Sequence, residues 1–517
     1  MNGAQSLIRS LIGAGVDVCF ANPGTSEMHF VAALDDVTEM RGVLALSEGV
    51  VTGAGDGYAR IADKPAVTLL HLGPGLGNGL ANLHNARRAN SPVVNIVGDH
   101  ATHHLPYDAP LTSDIETLAR NLEGWIRRST AAEKVGADAM AAVRAASEPP
   151  GRVSTLILPA DASWGEGGVV AEALQAPDTP AADPATVQGV VSVLTSGESV
   201  VLLIGGRACR EPGLRAASRI AVSTGARLFT ETFPARIERG AGVPSVERLG
   251  YLAEQAEHQL AGAAHVVLAG AAAPASFFAY PDRAGDLVPS GARVHVLADR
   301  SQDVVAALAA VADLVAPDTE PMLQEPSRPE LPTGPLTLQS WVEVVGALLP
   351  EGAIVADEAH TSGLTLPAAT AGAPRHDVLT LTGGAIGFGM PVATGAAIAA
   401  PDRPVLNLQA DGSAMYTVAA LWTQARERLD VTTVVLNNSA YAILRLELQR
   451  VGATGDGPRA NALLDLARPD LDFTKIAEGM GVPAGRATTA EELAEQLRRA
   501  FAEPGPHLIE AIVPPLL

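Results

Sequence analysis

Val405-Leu406-Asn407-Leu408-Gln409 runs straight into Ala410-Asp411-Gly412-Ser413, and beyond a helical segment Val431–Leu436 ends in Asn437-Asn438. Each run has the length of a strand and is rich in Val and Leu, as expected of a strand buried on both faces. A strand, a helix and a second strand of this kind make a parallel crossover, with both polar tails at the same sheet edge. The same alternation recurs outward along the chain. Val67–His71 and Val93–Val97, then Val200–Ile204 and Val266–Leu268, then Ala353–Ala356, read as further buried strands between Ala-rich helical segments.

Two Ala/Pro-rich stretches interrupt this pattern. One runs near Ala176–Ala185, with Pro177, Pro180 and Pro184; the other runs from Pro317 to Pro335, with Pro321, Pro326, Pro329 and Pro332 between. Neither has the periodicity of a packed element, so both are expected to be linkers. The 517 residues then divide into three α/β domains with parallel sheets, at 1–170, 186–316 and 336–517. That count agrees with a size of roughly 150 residues per domain.

The formal charge of −21 is opposite in sign to the footprint of a nucleic-acid binder, and no Lys/Arg run offsets it. No stretch is both apolar and long enough to cross a bilayer. Arg9 and Asp17 break the apolar pattern of the first twenty positions, which reads as an amphipathic helix and not as a secretory signal. Cys19 and Cys209 are the only cysteines, too few for a disulfide framework or a thiolate cluster. A cytoplasmic protein with neither nucleic-acid nor membrane partners is expected.

Chemistry concentrates at the strand ends of the first and third blocks. Asp411 offers a hard carboxylate, Asn438 an amide oxygen and Ala440 a backbone carbonyl. Such a set suits Mg²⁺ whose shell is completed by phosphate oxygens. Gly412 and Ser413 open the next helix, whose amides favour an anion. An isolated Asp-Gly is ordinarily a turn, but the combination resembles the thiamine-diphosphate motif, with Ala410 in place of its usual first glycine.

Ser47-Glu48-Gly49 with Asp56-Gly57-Tyr58-Ala59-Arg60 resembles the pyrimidine-binding domain of the same family. The resemblance implies that Glu48 protonates the aminopyrimidine N1′ and so activates C2 of the cofactor. Gly383-Gly384-Ala385-Ile386-Gly387-Phe388-Gly389 resembles the segment that bends the cofactor, with Ile386 as the apolar pivot and the Gly384 carbonyl near the 4′-amine. Asp357-Glu358-Ala359-His360-Thr361 is similar to a segment that contacts the diphosphate, with Thr361 as the contacting residue. Tyr441 and Leu444 resemble residues packed around the cofactor.

At the substrate end, Asn22-Pro23-Gly24-Thr25-Ser26-Glu27 resembles the opening of benzoylformate decarboxylases and acetolactate synthase relatives. Thr25 or Ser26 is a candidate to bond a substrate carboxylate, or else to cap a helix. His71, before a glycine-rich turn, is the first candidate for general acid–base work, since an imidazole moves protons near neutral pH. Of His100, His103 and His104, which lack acidic or Cys partners at metal-ligand spacing, His100 is the one expected to face the site. The segment resembling the one that supplies a second active-site His in benzoylformate decarboxylase reads Ser276-Phe277-Phe278-Ala279-Tyr280-Pro281, without His. The resemblance implies a thiamine diphosphate- and Mg²⁺-dependent decarboxylase of 2-oxo acids. Carboligation of the acetolactate synthase type is the first expectation. A non-ligating decarboxylase and a non-catalytic regulatory relative are the rivals. It also implies a homodimer or homotetramer with sites at subunit interfaces. The middle block has Gly205-Gly206 but no GxGxxG spacing, so a colourless, structural domain is expected there.

Overall fold

The computed structural model describes residues 1–281, 283–453, 455 and 457–516. Three sheets organise the chain, and the apolar runs are their central strands. The first sheet is wholly parallel, in the order Arg41–Leu44, Val18–Asn22, Ala66–Leu70, Val93–Asp99, Val153–Pro159, Trp125–Arg128. The second runs Glu247–Arg248, Arg227–Thr230, Val200–Ile204, His265–Ala269, Arg293–Ala298, also parallel. The third runs Ala484–Ala487, His507–Ile512, Val431–Asn437, Val405–Ala410, Ile354–Glu358, His376–Thr380, Arg236–Arg239.

The parallel sheets are as expected, and that last strand adds one antiparallel edge to the third. It comes from the middle block and pairs antiparallel with His376–Thr380, Arg239 opposite His376 and Arg236 opposite Leu379. Its charged sequence is held by Asp377, which accepts from Arg236 Nε at 2.5 Å and Nη2 at 3.2 Å, and from Arg403 at 2.6 Å. An antiparallel edge on a parallel sheet is a common arrangement.

Helices Glu48–Ala62 and Gly389–Ala399 bring the first and third domains together. They approach backbone to backbone: a Cβ at Gly57 would lie 2.1 Å from the Val392 carbonyl oxygen, and one at Gly395 only 1.9 Å from that of Ala54. Arg60 fastens the same junction. It pairs with the buried Asp56 and donates to the carbonyls of Thr380, at 2.8 Å, and Ala235, at 3.1 Å, so one side chain touches all three blocks.

The linkers differ from expectation in detail. Pro184 is the first residue of helix Pro184–Leu194, capped by Asp183, so the first linker ends before it. The stretch 317–335 has no helix or strand but is strapped down, with Gln324 N donating to Val243 O, Ser327 N to Gly372 O and Arg328 to Leu349 O. Among the described residues no helix is long and apolar enough to cross a membrane.

Candidate active site

The register of Val405–Ala410 against Val431–Asn437 sets Ala410 opposite Leu436, so Asp411 and Asn438 leave neighbouring strand ends. Asp411 is 2% exposed. Its Oδ1 accepts from Gly412 N at 2.8 Å and its Oδ2 from Asn438 N at 3.1 Å, while Asn438 Oδ1 accepts from Ala440 N at 3.0 Å. The three expected ligand residues therefore form one constellation. Burial raises the Asp411 carboxyl above its usual range, and the amides of Gly412, Ser439, Asn438 and Ala440 offset this only in part. No Lys, Arg or His among the described residues pairs with it. A buried carboxylate beside amide and carbonyl oxygens, lacking a protein cation, fits a bound divalent metal. Ser413 is buried, its hydroxyl engaged by Gln409 at 2.5 Å and by the Ala410 carbonyl at 3.1 Å. Tyr441 lies over Gly412, where a Cβ would meet its ring at 2.4 Å, and Leu444 is exposed one turn along helix Ala442–Arg450.

Ile386 sits half-buried against the core shared by the first and third domains. The loop around it is held from both sides. From the first domain, His84, Asn85 and Asn82 on helix Leu72–Ala89 bond the carbonyls of Gly383, Ala385 and Gly387. From the third, the fully buried Glu358 accepts from Gly387 N at 2.7 Å, Gly389 N at 2.6 Å and Gln409 at 2.8 Å. Burial alone would raise the Glu358 carboxyl. His360, whose Nε2 stands 3.7 Å away, and these donors outweigh it and hold the group below its usual range. In the sequence Glu358 stands out only as a neighbour of Thr361. Thr361 itself lies half-buried in the short turn His360–Gly363. Phe277, in the segment without a His, packs on Gly384, whose φ is +74° and whose Cβ would meet the ring at 2.6 Å. Phe233, Tyr251 and Phe278 surround that ring.

Glu48 opens helix Glu48–Ala62 and is 8% exposed. Its Oε2 accepts from Asn78 at 3.1 Å, and Gly75 leaves room for Oε1. Within one chain Glu48 neighbours the far end of the Asp411–Thr417 helix, since Gly49 faces the Thr417 side chain. Seven residues of helix, about 10 Å, thus lie between it and Asp411.

The first sheet places Asn22 opposite Leu70, so the loops that follow these two strands meet. There His71 Nδ1 lies 2.8 Å from Glu27 Oε2, which also accepts from Gly24 N at 2.7 Å. Glu27 is 1% exposed and fits because residue 98 is glycine, where a Cβ would collide with its carboxylate. Burial raises the Glu27 carboxyl, with Gly24 and His71 pulling the other way. Sequence reasoning missed this partner. A carboxylate on Nδ1 fixes the imidazole tautomer and leaves Nε2 for proton transfer. Neither Thr25 nor Ser26 caps a helix; the turn Thr25–Glu27 is closed by Gly24 and Glu27. His100 packs on His104, its Nε2 buried and without a partner among the described residues, while His103 and His104 are exposed.

Comparison with known proteins accords with this geometry. Residues 1–119 match the N-terminal TPP binding domain of thiamine pyrophosphate enzymes, and residues 361–511 the C-terminal TPP binding domain. The chain is 64% identical over 518 residues to "Putative acetolactate synthase large subunit IlvX" of Mycobacterium tuberculosis, covering 100% of both. It is 30% identical to benzoylformate decarboxylase of Pseudomonas aeruginosa, over 96% of each. The structure of a thiamine diphosphate-dependent 4-hydroxybenzoylformate decarboxylase from Rhodococcus jostii superposes with a TM-score of 0.86, at 25% identity and 99% coverage of both chains. The protein belongs to the thiamine pyrophosphate enzymes. Within them it is an enzyme of the acetolactate synthase and benzoylformate decarboxylase type.

Proposed function

We propose that the chain is a Mg²⁺-dependent 2-oxo acid decarboxylase that protonates its product, and the Glu27–His71 pair carries this reading. Thiamine diphosphate, when bound, supplies the carbon nucleophile and the electron sink for loss of CO₂. Asp411, Asn438 and the Ala440 carbonyl would hold the metal, Gly412, Ser413 and Thr361 would take the diphosphate, and Tyr441 and Leu444 would pack against the cofactor. Ile386 and Gly384 would contact the cofactor between its rings, and Glu48 would supply a proton to the aminopyrimidine. Thr25, Ser26 and His100 line the substrate end, where His71 moves protons through Nε2 with Glu27 fixing its tautomer. A group poised to give up a proton favours release of an aldehyde over capture of the carbanion by a second oxo acid.

Carboligation is the second reading, favoured by the name of the 64%-identical relative. Product analysis on a panel of 2-oxo acids, with thiamine diphosphate and Mg²⁺, separates the two: aldehyde alone supports protonation, and a 2-hydroxy ketone or acetohydroxy acid overturns it. His71→Ala should lower aldehyde formation by about 100-fold or more.

A two-fold homodimer, alone or paired into a tetramer, completes the site in this reading. The resemblance to a family whose sites lie between subunits supports it, as does the usual closed symmetry of oligomers. Mixing inactive Glu48→Gln and Asp411→Ala subunits should restore activity in hybrid dimers, each with one intact site. Hybrids shown to form yet remaining inactive overturn shared sites.

A further inference from the structure

We propose that Glu358 is a positioning residue that clamps the loop carrying Ile386 and couples it to the helix opened by Asp411. The assignment of Ile386 and Asp411 to the cofactor rests on the function proposed above; the clamp itself rests on geometry alone.

Glu358 ends the strand Ile354–Glu358 with its side chain fully buried. One carboxylate oxygen takes the amide of Gly387 and the other the amide of Gly389, so the two bonds bracket Phe388 and begin one residue beyond Ile386. The second oxygen also accepts from Gln409 Nε2, which in turn reaches Ser413 Oγ at 2.5 Å; Ser413 Oγ bonds the carbonyl of Ala410 at 3.1 Å. This is an unbroken path of short contacts from the pivot loop to the residues either side of Asp411. The loop is closed from the opposite side by Thr417, whose hydroxyl donates to the Gly387 carbonyl at 2.9 Å.

The chemistry requires a carboxylate. An ionised carboxylate is acceptor-only, and every neighbour here other than His360 is an uncharged donor, so the charge is spread over hydrogen bonds and not over an ion pair. Hydrogen bonds to a charged acceptor are roughly twice as strong as neutral ones. A glutamine would turn an NH₂ toward one of the two amides and leave that amide unbonded. There is no spare room for a different clamp: a Cβ at Gly389 would lie 2.5 Å from Gln409 Oε1 and 3.1 Å from Glu358 Oε2.

The test compares wild type, Glu358→Gln and Gln409→Leu in two states. In cofactor-free protein, backbone amide exchange of the segment 387–389 is measured. Glu358→Gln should speed it by about 10- to 100-fold, the loss of one or two strong bonds, and Gln409→Leu should change it by less than about threefold. With thiamine diphosphate and Mg²⁺ added, Glu358→Gln should slow exchange of the cofactor C2 proton by about tenfold while its affinity changes by less than about threefold, and Gln409→Leu should do the reverse. Unaltered amide exchange in Glu358→Gln overturns the clamp, and faster amide exchange with unaltered C2 exchange overturns its positioning role. If Glu358→Gln does not fold, Glu358→Asp, which keeps the charge on a shorter arm, takes its place: faster amide exchange and slower C2 exchange support the clamp, and no change in either overturns it. Wild type that fails to bind thiamine diphosphate defeats the proposed function, while the cofactor-free measurement still decides the clamp.

Discussion

The middle and third sheets place similar residues at their strand ends and use them differently. In the middle sheet Gly205 and Gly270 follow adjacent strands, bonded to Ala269 O and Ala298 O, and the half-buried Glu231 ends the next strand out. Arg300 answers Glu231 at 2.5 Å and donates also to the Gly270 carbonyl. In the third sheet Asp411 occupies the comparable place, and its neighbours are amides alone. Burial raises both carboxyls, but only Glu231 has a built-in cation to pull it back. A strand-end carboxylate that the protein neutralises itself closes a crevice. One left without a countercharge fits the divalent cation of the proposed function.

Asp411→Ala is the largest way to break this comparison. Losing the lone carboxylate should weaken metal affinity by at least about 100-fold, more than the loss of a residue that merely supports a ligand. Thiamine diphosphate retention after gel filtration should vanish with it, and retention equal to wild type overturns the metal assignment.

His376 offers a control, because it is buried at the far end of its strand from Thr380 and burial outweighs the opposing pull of Asp377 and the Pro374 carbonyl. Burial lowers its pKa to about 4. The folded state then refuses a proton that the unfolded chain takes up below its ordinary value near 6.5, so stability is complete above that value and falls as the pH drops from 6.5 toward 4. The loss should approach about 3 kcal/mol. Urea melts at several pH values, with His376→Phe expected to flatten the acid limb, check both sign and size.

Arg300→Leu should have the smallest effect of the three. It strands Glu231, which is partly exposed and can protonate, at a cost of about 2 kcal/mol in urea unfolding, with cofactor affinity unchanged. Freshly purified protein should show no flavin absorption band, since Arg300 and Glu231 pair with each other across the strand ends of the middle sheet. A stoichiometric band sinks that interpretation.

Central strands such as Val93–Asp99, Val200–Ile204 and Val431–Asn437 were legible because apolar residues run through them where both faces are covered, while edge strands such as Trp125–Arg128 and Glu247–Arg248 carry no such run. Asp411, Asn438 and Ala440 were legible because neighbouring strands deliver them over a short crossover. Glu27 was not, since its partner His71 is 44 positions away and the space it fills is created by the missing side chain of Gly98. Glu358 was hidden by its type: a Glu at a strand end reads as solvated, and nothing local marks it as an acceptor for amides 29 and 31 positions on. The strand Arg236–Arg239 escaped for a similar reason. Its Arg-Ile-Glu-Arg sequence carries no apolar run, and its pairing depends on Asp377, 141 positions further along.

That strand also limits how the protein can be cut and rebuilt. A chimera joined at the two Pro-rich stretches would import a foreign middle unit along with a foreign edge for the catalytic sheet. A deletion of the same unit would leave His376–Thr380 with a bare row of amides and carbonyls, open to strand addition by another chain. Grafting experiments in this scaffold therefore have to carry residues 236–239 with the C-terminal domain, although Arg239 precedes its partner His376 by well over a hundred positions.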